Sequence, residues 1–96
     1  MTKLVTPTIH SNGTNGDNLL FQVQRIMASL CHVEEAMRVA MPNARDYYPQ
    51  GSEATNDARN AFLERRLAIF TMLDEFKELA FAIDAQNEAR AGRSAT

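Results

Sequence analysis

Two short polar segments hold the residues of this sequence that could recognise a ligand. In the first, residues 8–16, His10 and Asn12 stand among threonines, a serine and two glycines. Small donors and acceptors at this density suit hydrogen bonds to a polar ligand, such as a ribose or a base edge, and they also suit capping of a following helix. Because capping does not require His10, this residue is either part of a ligand site or an ordinary surface histidine.

The second segment, residues 42–51, combines Asn43 and Arg45 with the adjacent tyrosines Tyr47 and Tyr48. An exposed tyrosine can stack on a nucleobase while a neighbouring guanidinium holds a phosphate. Successive side chains of an extended stretch point to opposite faces, so we expect one tyrosine to pack on protein and the other to face outward. The alternative is that both tyrosines close the open end of a helix pair.

Two further arginines interrupt an apolar pattern downstream. When the apolar seam of the second helix is continued backwards in steps of three and four, Arg66 and Arg59 fall where apolar side chains are expected. An unpaired buried charge is costly. These arginines therefore pair with acids such as Glu34 and Glu35, extend into water, or bind an anionic ligand together with Arg45.

The sequence carries none of the common signatures of catalysis. It has no P-loop, HExxH, GxSxG or GxGxxG motif. Cys31, His32, Glu34 and Glu35 point mostly in different directions around a helix, and no second cysteine or histidine cluster completes a metal site. We therefore expect a protein that is not an enzyme and has no metal site and no cofactor.

Composition and charge exclude further classes. Ten basic and 12 acidic residues give a net charge of −2, which argues against a uniformly basic surface for long nucleic acid. No run approaches the roughly 18 apolar residues that a membrane span needs. The one cysteine, Cys31, excludes an intrachain disulfide, and the first residues lack the apolar region of a signal peptide. We expect a cytoplasmic protein.

Two predicted helices position the polar segments within a single domain. The predicted segments are a polar arm (1–16), a first helix (17–41), an ordered turn (42–51), a second helix (52–88) and a frayed tail (89–96). The apolar positions at helical spacing are Leu19, Val23, Ile26, Leu30, Val33, Met37 and Ala40, then Phe62, Ile69, Leu73, Phe76, Ala80 and Ile83.

Local signals set the ends of these helices. Asn15 or Asp17 can cap the first helix, and Pro42 disfavours a helical conformation at the residue before it, so the helix should stop at residue 41. Ser52 or Thr55 can cap the second helix.

The predicted helices differ in length. At 1.5 Å per residue, about 24 and about 36 residues give roughly 36 and 54 Å. An antiparallel pair would then leave the second helix uncovered beyond about residue 77. Leu79, Ala80, Phe81 and Ile83 would need the N-terminal arm or another subunit as a partner.

These lengths lead to a prediction of assembly. One helix cannot cover an apolar stripe wider than about 100°. We therefore predict an all-α fold, an antiparallel two-helix hairpin with an extended N-terminal arm, assembled into a homo-oligomeric helical bundle. The arm and the turn lie at opposite ends of the first helix, roughly 36 Å apart, so a site that uses both would be shared between subunits.

Two motifs give the chain a resemblance to a known group of proteins. Residues 8–14 read TIHSNGT and residues 42–50 read PNARDYYPQ, and each motif precedes a predicted helix. The combination resembles a group of small helical proteins encoded by bacteriophages and prophages, over nearly the whole chain. Where such proteins pair Pro-Asn with Gly before the Arg, this chain has Ala44, which makes a left-handed backbone there less favourable.

Small helical phage proteins of this size resemble counter-defence proteins that sequester nucleotide immune signals or block host defence complexes. The sequestering kind are oligomers that bind cyclic or ADP-ribose-type nucleotides between subunits without cleaving them. The resemblance implies such a protein in the host bacterial cytoplasm. The implied roles are phosphate binding by Arg45 with Arg59 or Arg66, base stacking by Tyr47 or Tyr48, and contacts to ribose or base edges by His10, Asn12 and Asn43.

Two other functions compatible with the sequence remain open. One is a protein-binding inhibitor or adaptor of a host defence complex, which would dock through acidic helix faces or the apolar residues 79–83. The other is a small virion or packaging component with a purely structural role.

Overall fold

The computed structural model describes residues 3–94, except for the side chains of residues 93 and 94. The elements are α1 (Gly16–Val39), a short helix α2 (Ala44–Tyr47), a 3-10 turn (Tyr48–Gln50) and the long helix α3 (Ala54–Ser94). Within the described range there is no strand, so the predicted all-α class is confirmed. Of the predicted arm and tail, residues 1, 2, 95 and 96 lie outside the described residues.

Helix α1 begins at a side-chain cap. The Asn15 side-chain oxygen accepts a hydrogen bond from the Asn18 backbone N–H at 2.8 Å, which satisfies a free donor of the first turn. Asn15 is thus the cap, rather than Asp17. The helix ends at Val39, two residues before the predicted stop, and the Ala40 N–H donates to the carbonyls of Ala36 and Met37.

Residues 44–50, in the segment between α1 and α3, are helical rather than extended. The Asn43 side-chain oxygen accepts from the Arg45 N–H at 3.0 Å and caps α2. Pro49 lies in the first positions of the 3-10 turn, where a missing N–H costs nothing. Gly51 ends the turn at φ 120°, a conformation that only glycine adopts easily.

Helix α3 is longer than the sequence pattern predicts. The Ala54 N–H donates to the Gly51 carbonyl and the Asp57 N–H to the Glu53 carbonyl, so Thr55 already lies inside the helix and does not cap it. At the other end, residues 89–94 continue the helix instead of fraying. Arg90 explains part of this difference, because its Nη1 donates to the Ile9 carbonyl at 3.1 Å and ties the last turns to the arm.

Helices α1 and α3 lie side by side and run in opposite directions. Contacts at one end join Glu34 to Arg66, and contacts at the other end join Gly16 to Asn87. Coverage of α3 therefore reaches residue 87, well beyond the predicted limit near 77. The predicted coverage ended too early because the connecting residues 40–53, not α1, pack against the first turns of α3, as the contact of Arg59 with Pro42 shows. Helix α1 therefore lies further toward the C-terminal end of α3.

The N-terminal arm packs on α3 of its own chain. Ile9 is buried with Val23 and Ile83, and Ile83 is only 1% exposed. The Gln86 side chain accepts from the Ile9 N–H at 2.9 Å and donates from Nε2 to the Pro7 carbonyl at 2.8 Å. The sequence left two partners open for residues 79–83, the N-terminal arm or another subunit. The arm is the partner that covers Ile83.

The molecule is long and thin. Its principal extents are 69 × 24 × 20 Å and its Cα radius of gyration is 19.8 Å, against about 12 to 13 Å for a compact domain of this length. No helix in residues 3–94 is long and apolar enough to cross a membrane. Eleven large apolar or tyrosine side chains of the described residues are exposed: Val5, Phe21, Ile26, Val33, Val39, Tyr48, Leu63, Leu67, Phe70, Met72 and Phe81.

Candidate functional site

The residues singled out from the sequence fall into two groups at opposite ends of α1. The turn end carries Asn43, Arg45, Tyr47, Tyr48 and Arg59, and the arm end carries His10 and Asn12. The 24 residues of α1 separate the two ends by about 36 Å. One chain therefore does not bring the two groups together.

At the turn end, one tyrosine packs and the other faces solvent. Tyr47 is half-buried, whereas Tyr48 is 70% exposed. The division agrees with the sequence prediction, but its cause is the junction between α2 and the 3-10 turn rather than an extended strand. Tyr48 is thus the tyrosine that could stack on a ligand.

Arg45 offers an open guanidinium three residues before this tyrosine on the same short helical segment. Its backbone N–H is bound by Asn43, whereas its exposed side chain has no hydrogen-bond or ion-pair partner among the described residues. Arg59 is also exposed, and its Nε donates to the Pro42 carbonyl at 3.1 Å. The bond at Nε leaves the terminal nitrogens of Arg59 available. Two cations and an outward tyrosine thus border the same end of the molecule.

Arg66 has a different environment. It forms an ion pair with Glu34 between α1 and α3, and both side chains are less than a fifth exposed. Its guanidinium also lies 5.9 Å from the centroid of the Phe70 ring, and its Nε is buried without a partner. Of the three alternatives left by the sequence, the geometry favours pairing with an acid, and Glu34 rather than Glu35 is that acid. Arg66 is therefore part of the helix packing.

The arm end forms an open cleft of about 600 Å³. His10 shapes a tight turn there, because its carbonyl accepts from the Gly13 N–H and its Nδ1 accepts from the Asn12 N–H. A Cβ at residue 13 would stand 2.9 Å from the His10 Nε2, so a larger residue there would require the exposed imidazole to shift. His10 and Gly13 line the cleft together with residues at the start of α1 and in the last turns of α3. These residues are Asn15, Gly16, Asp17, Asn18, Asn87, Arg90 and Ala91.

Two residues of this cleft, Asn87 and Arg90, were not candidates from the sequence. Both lie on the face of α3 that carries Ile83, at spacings of four and seven residues. This spacing was the available signal, because a polar residue that continues a buried helical face must meet a partner. The charged neighbours Asp84 and Glu88 made the whole region resemble a solvated face.

The groups at the two ends are ones that can bind a polar anion. Arginines and a tyrosine border one end, and amide and imidazole groups line the cleft at the other. Among the described residues no group of three His, Cys, Asp or Glu side chains could hold a metal ion. The chain matches no family model, no curated protein and no solved structure.

Proposed function

We propose that this protein is a phage counter-defence protein that binds and sequesters a nucleotide immune messenger, of the cyclic or ADP-ribose type, without cleaving it. In this proposal the chain is a helical hairpin that assembles into a homo-oligomer, and the nucleotide lies between subunits. The observation that carries the proposal is that the exposed Arg45 side chain has no partner among the described residues and that Tyr48, three residues later on the same helical segment, is 70% exposed.

The construction of the turn supports a binding role for this pair. Asn43 caps α2 and Gly51 ends the 3-10 turn, so the backbone that carries Arg45 and Tyr48 is defined by local hydrogen bonds. Because this backbone is already ordered, only the two side chains lose conformational freedom when a ligand binds. Arginine is suited to bidentate phosphate contacts, and a tyrosine face is suited to a base.

The shape of the chain supports assembly. Large apolar side chains are exposed on the outer faces of both long helices, which is unusual for a monomer. Because the turn end and the arm end are about 36 Å apart in one chain, His10 and Asn12 join Arg45 and Tyr48 in one site only if a second subunit supplies them.

Native mass spectrometry of the untagged protein tests this function. The spectra would be recorded alone and with a panel of linear, cyclic and ADP-ribose-type nucleotides. We expect an oligomer that gains a fixed number of one nucleotide and returns it unchanged. An oligomer that ignores every nucleotide in the panel would contradict sequestration.

Substitution of Arg45 identifies the site. Arg45→Ala should abolish nucleotide binding while helicity and oligomeric state stay the same, because its side chain makes no contact that holds the fold. Arg65→Ala is the matched control, since Arg65 is an exposed arginine on α3. Full binding by Arg45→Ala would remove Arg45 from the site.

A second function, that of a protein-binding inhibitor or adaptor of a host defence complex, has its own supporting observation. Phe21, Ile26 and Val33 are exposed on α1 and line an open apolar groove with Leu30. An amphipathic helix of a partner could lie in such a groove. Recovery of one specific partner protein, together with no affinity for any nucleotide of the panel, would favour this function over sequestration.

A further inference from the structure

A second stripe of mostly apolar side chains lies on α3 about 100° around the helix from the buried side chains that contact α1. Its residues follow one another at alternating spacings of four and three, the period of a coiled-coil seam. We call it the outer stripe, and it consists of Leu63, Leu67, Phe70, Asp74, Lys77 and Phe81. All six side chains are exposed, Leu67 by 65% and Phe81 by 63%. The stripe therefore has the pattern of an interface, and no helix among residues 3–94 covers it.

We propose that the outer stripe binds the outer stripe of a second copy of this chain, with the two α3 helices antiparallel. The two charged positions set the register. Asp74 and Lys77 form no ion pair within the described part of the chain. In an antiparallel pair centred between them, each Asp74 faces the partner's Lys77. The same register places each Phe70 against the partner's Phe81.

Other arrangements of the same stripe are less favourable. A parallel pair in register would place Asp74 against Asp74 and Lys77 against Lys77, which is repulsive. An antiparallel pair shifted by one heptad would place Lys77 against Leu67 and Asp74 against Phe70, which buries charge against apolar groups. In the proposed register Leu67 and Leu63 meet the partner's Asp84 and Glu88. Both of these exposed carboxylates lie toward the ends of the seam, where they can turn into water, whereas Asp74 and Lys77 lie at its centre.

The accessible surface is large enough for such an interface. The chain exposes 7318 Å², whereas a compact monomer of 10.7 kDa exposes about 5,500 Å². The excess is roughly 1,800 Å², and a standard interface removes about 800 Å² from each partner. Burial of the outer stripe against a second copy accounts for part of this excess and leaves the α1 groove for further contacts.

The antiparallel register has a consequence for the nucleotide site, and this step rests on the proposed function. Phe62, near the turn end, becomes level with the partner's Ala89, and Arg66 becomes level with the partner's Ala85. The turn end of one chain therefore lies at the height of the arm end of the other. Each dimer contains this match in height twice, with each arm on the face of α3 that carries Gln86 and Arg90, which points away from the seam.

A charge-reversal cycle tests the stripe. Asp74→Lys and Lys77→Asp should each weaken self-association at least tenfold in sedimentation equilibrium, and the double variant should recover it to within about threefold. Glu35→Lys is the control, because it makes the same charge change at an exposed position of α1. Unchanged association of both single variants would overturn the interface.

Cysteine pairing tests the direction and register. In a Cys31→Ser background, Leu67→Cys and Asp84→Cys proteins are oxidised separately and as a mixture. The proposed register predicts a disulfide dimer in the mixture and none in either protein alone, since like positions would be about 25 Å apart along the seam. A disulfide in either protein alone, or none in the mixture, would overturn the proposal.

Both tests are carried out without a nucleotide. If the protein passes both tests but binds no nucleotide, the proposed interface stands and the proposed function is wrong. If the protein fails both tests but binds a nucleotide, the proposed function stands and the proposed interface is wrong.

Discussion

The side chain of Arg66 is paired with that of Glu34 between α1 and α3, where the two side chains are 19% and 18% exposed. Removal of the acid leaves a largely enclosed guanidinium whose Nε already lacks a partner. Glu34→Ala should therefore lower the free energy of unfolding by about 2 kcal/mol in urea titrations at fixed protein concentration. This is below the cost for a fully buried pair because water still reaches the site.

The effects of substitutions at Glu34 and Arg66 on the free energy of unfolding should be strongly non-additive. Replacement of both residues by apolar ones, Glu34→Leu with Arg66→Met, should restore stability to the parent value or above it, because neither charge is then desolvated. Destabilisation of the double variant by the sum of the two single effects would mean that the two side chains do not interact.

Gly16 is predicted to be intolerant of a larger side chain. A Cβ at this position would overlap Oδ1 of Asn87 and stand 2.9 Å from Cδ1 of Ile9, so Gly16→Ala should lower the unfolding free energy by about 1–3 kcal/mol. Gly92→Ala is the matched control, since a Cβ there meets nothing within 4 Å and should be neutral or stabilising by up to about 1 kcal/mol. Addition of Asn87→Ala to Gly16→Ala should recover part of the loss. Equal stability of the Gly16→Ala and Gly92→Ala proteins would contradict this packing.

Gln86 is predicted to hold the arm on α3. Gln86→Ala removes both the acceptor for the Ile9 N–H and the donor to the Pro7 carbonyl, so the Ile9 amide should exchange with deuterium at least tenfold faster. Gln24→Ala, at an exposed position of α1, should leave that rate unchanged. Retained protection of Ile9 in the Gln86→Ala protein would show that the arm is held by other contacts.

Gly51 is predicted to be required for its backbone conformation alone. Its φ of 120° is costly for an L residue, while a Cβ there would meet nothing within 4 Å. Gly51→Ala should therefore cost about 1–3 kcal/mol. A chemically synthesised chain with D-alanine at residue 51 should keep the parent stability, because its preferred φ has the opposite sign. An equal loss with both alanines would point to a steric cause instead.

The helices were predictable because their signals are local. The spacing of apolar residues from Leu19 to Ala40 predicts α1, and Asn15 was one of two caps expected from side-chain chemistry. The ends of α3 were not predictable in the same way. Its C-terminal extension has a partner in the arm, since Arg90 binds the Ile9 carbonyl, and sequence periodicity carries no information about that contact.

The candidate site was predictable only in part. The contrast between Tyr47 and Tyr48 followed from their being adjacent, but an extended chain was the wrong reason, because Asn43 caps a short helix there. The cleft residues Asn87 and Arg90 come together with His10 through packing between residues about 80 positions apart. Such pairings depend on the tertiary fold, which no local pattern encodes.

The docking of the arm on α3 sets an order of events during synthesis. The arm is made first, yet the residues that hold it, Gln86 and Arg90, are made 77 to 81 positions later. At about 5–20 residues per second, a ribosome needs roughly 4–15 s to cover that interval. Throughout that time Ile9 has no native partner on α3, so each new chain keeps this apolar side chain exposed until α3 is nearly complete.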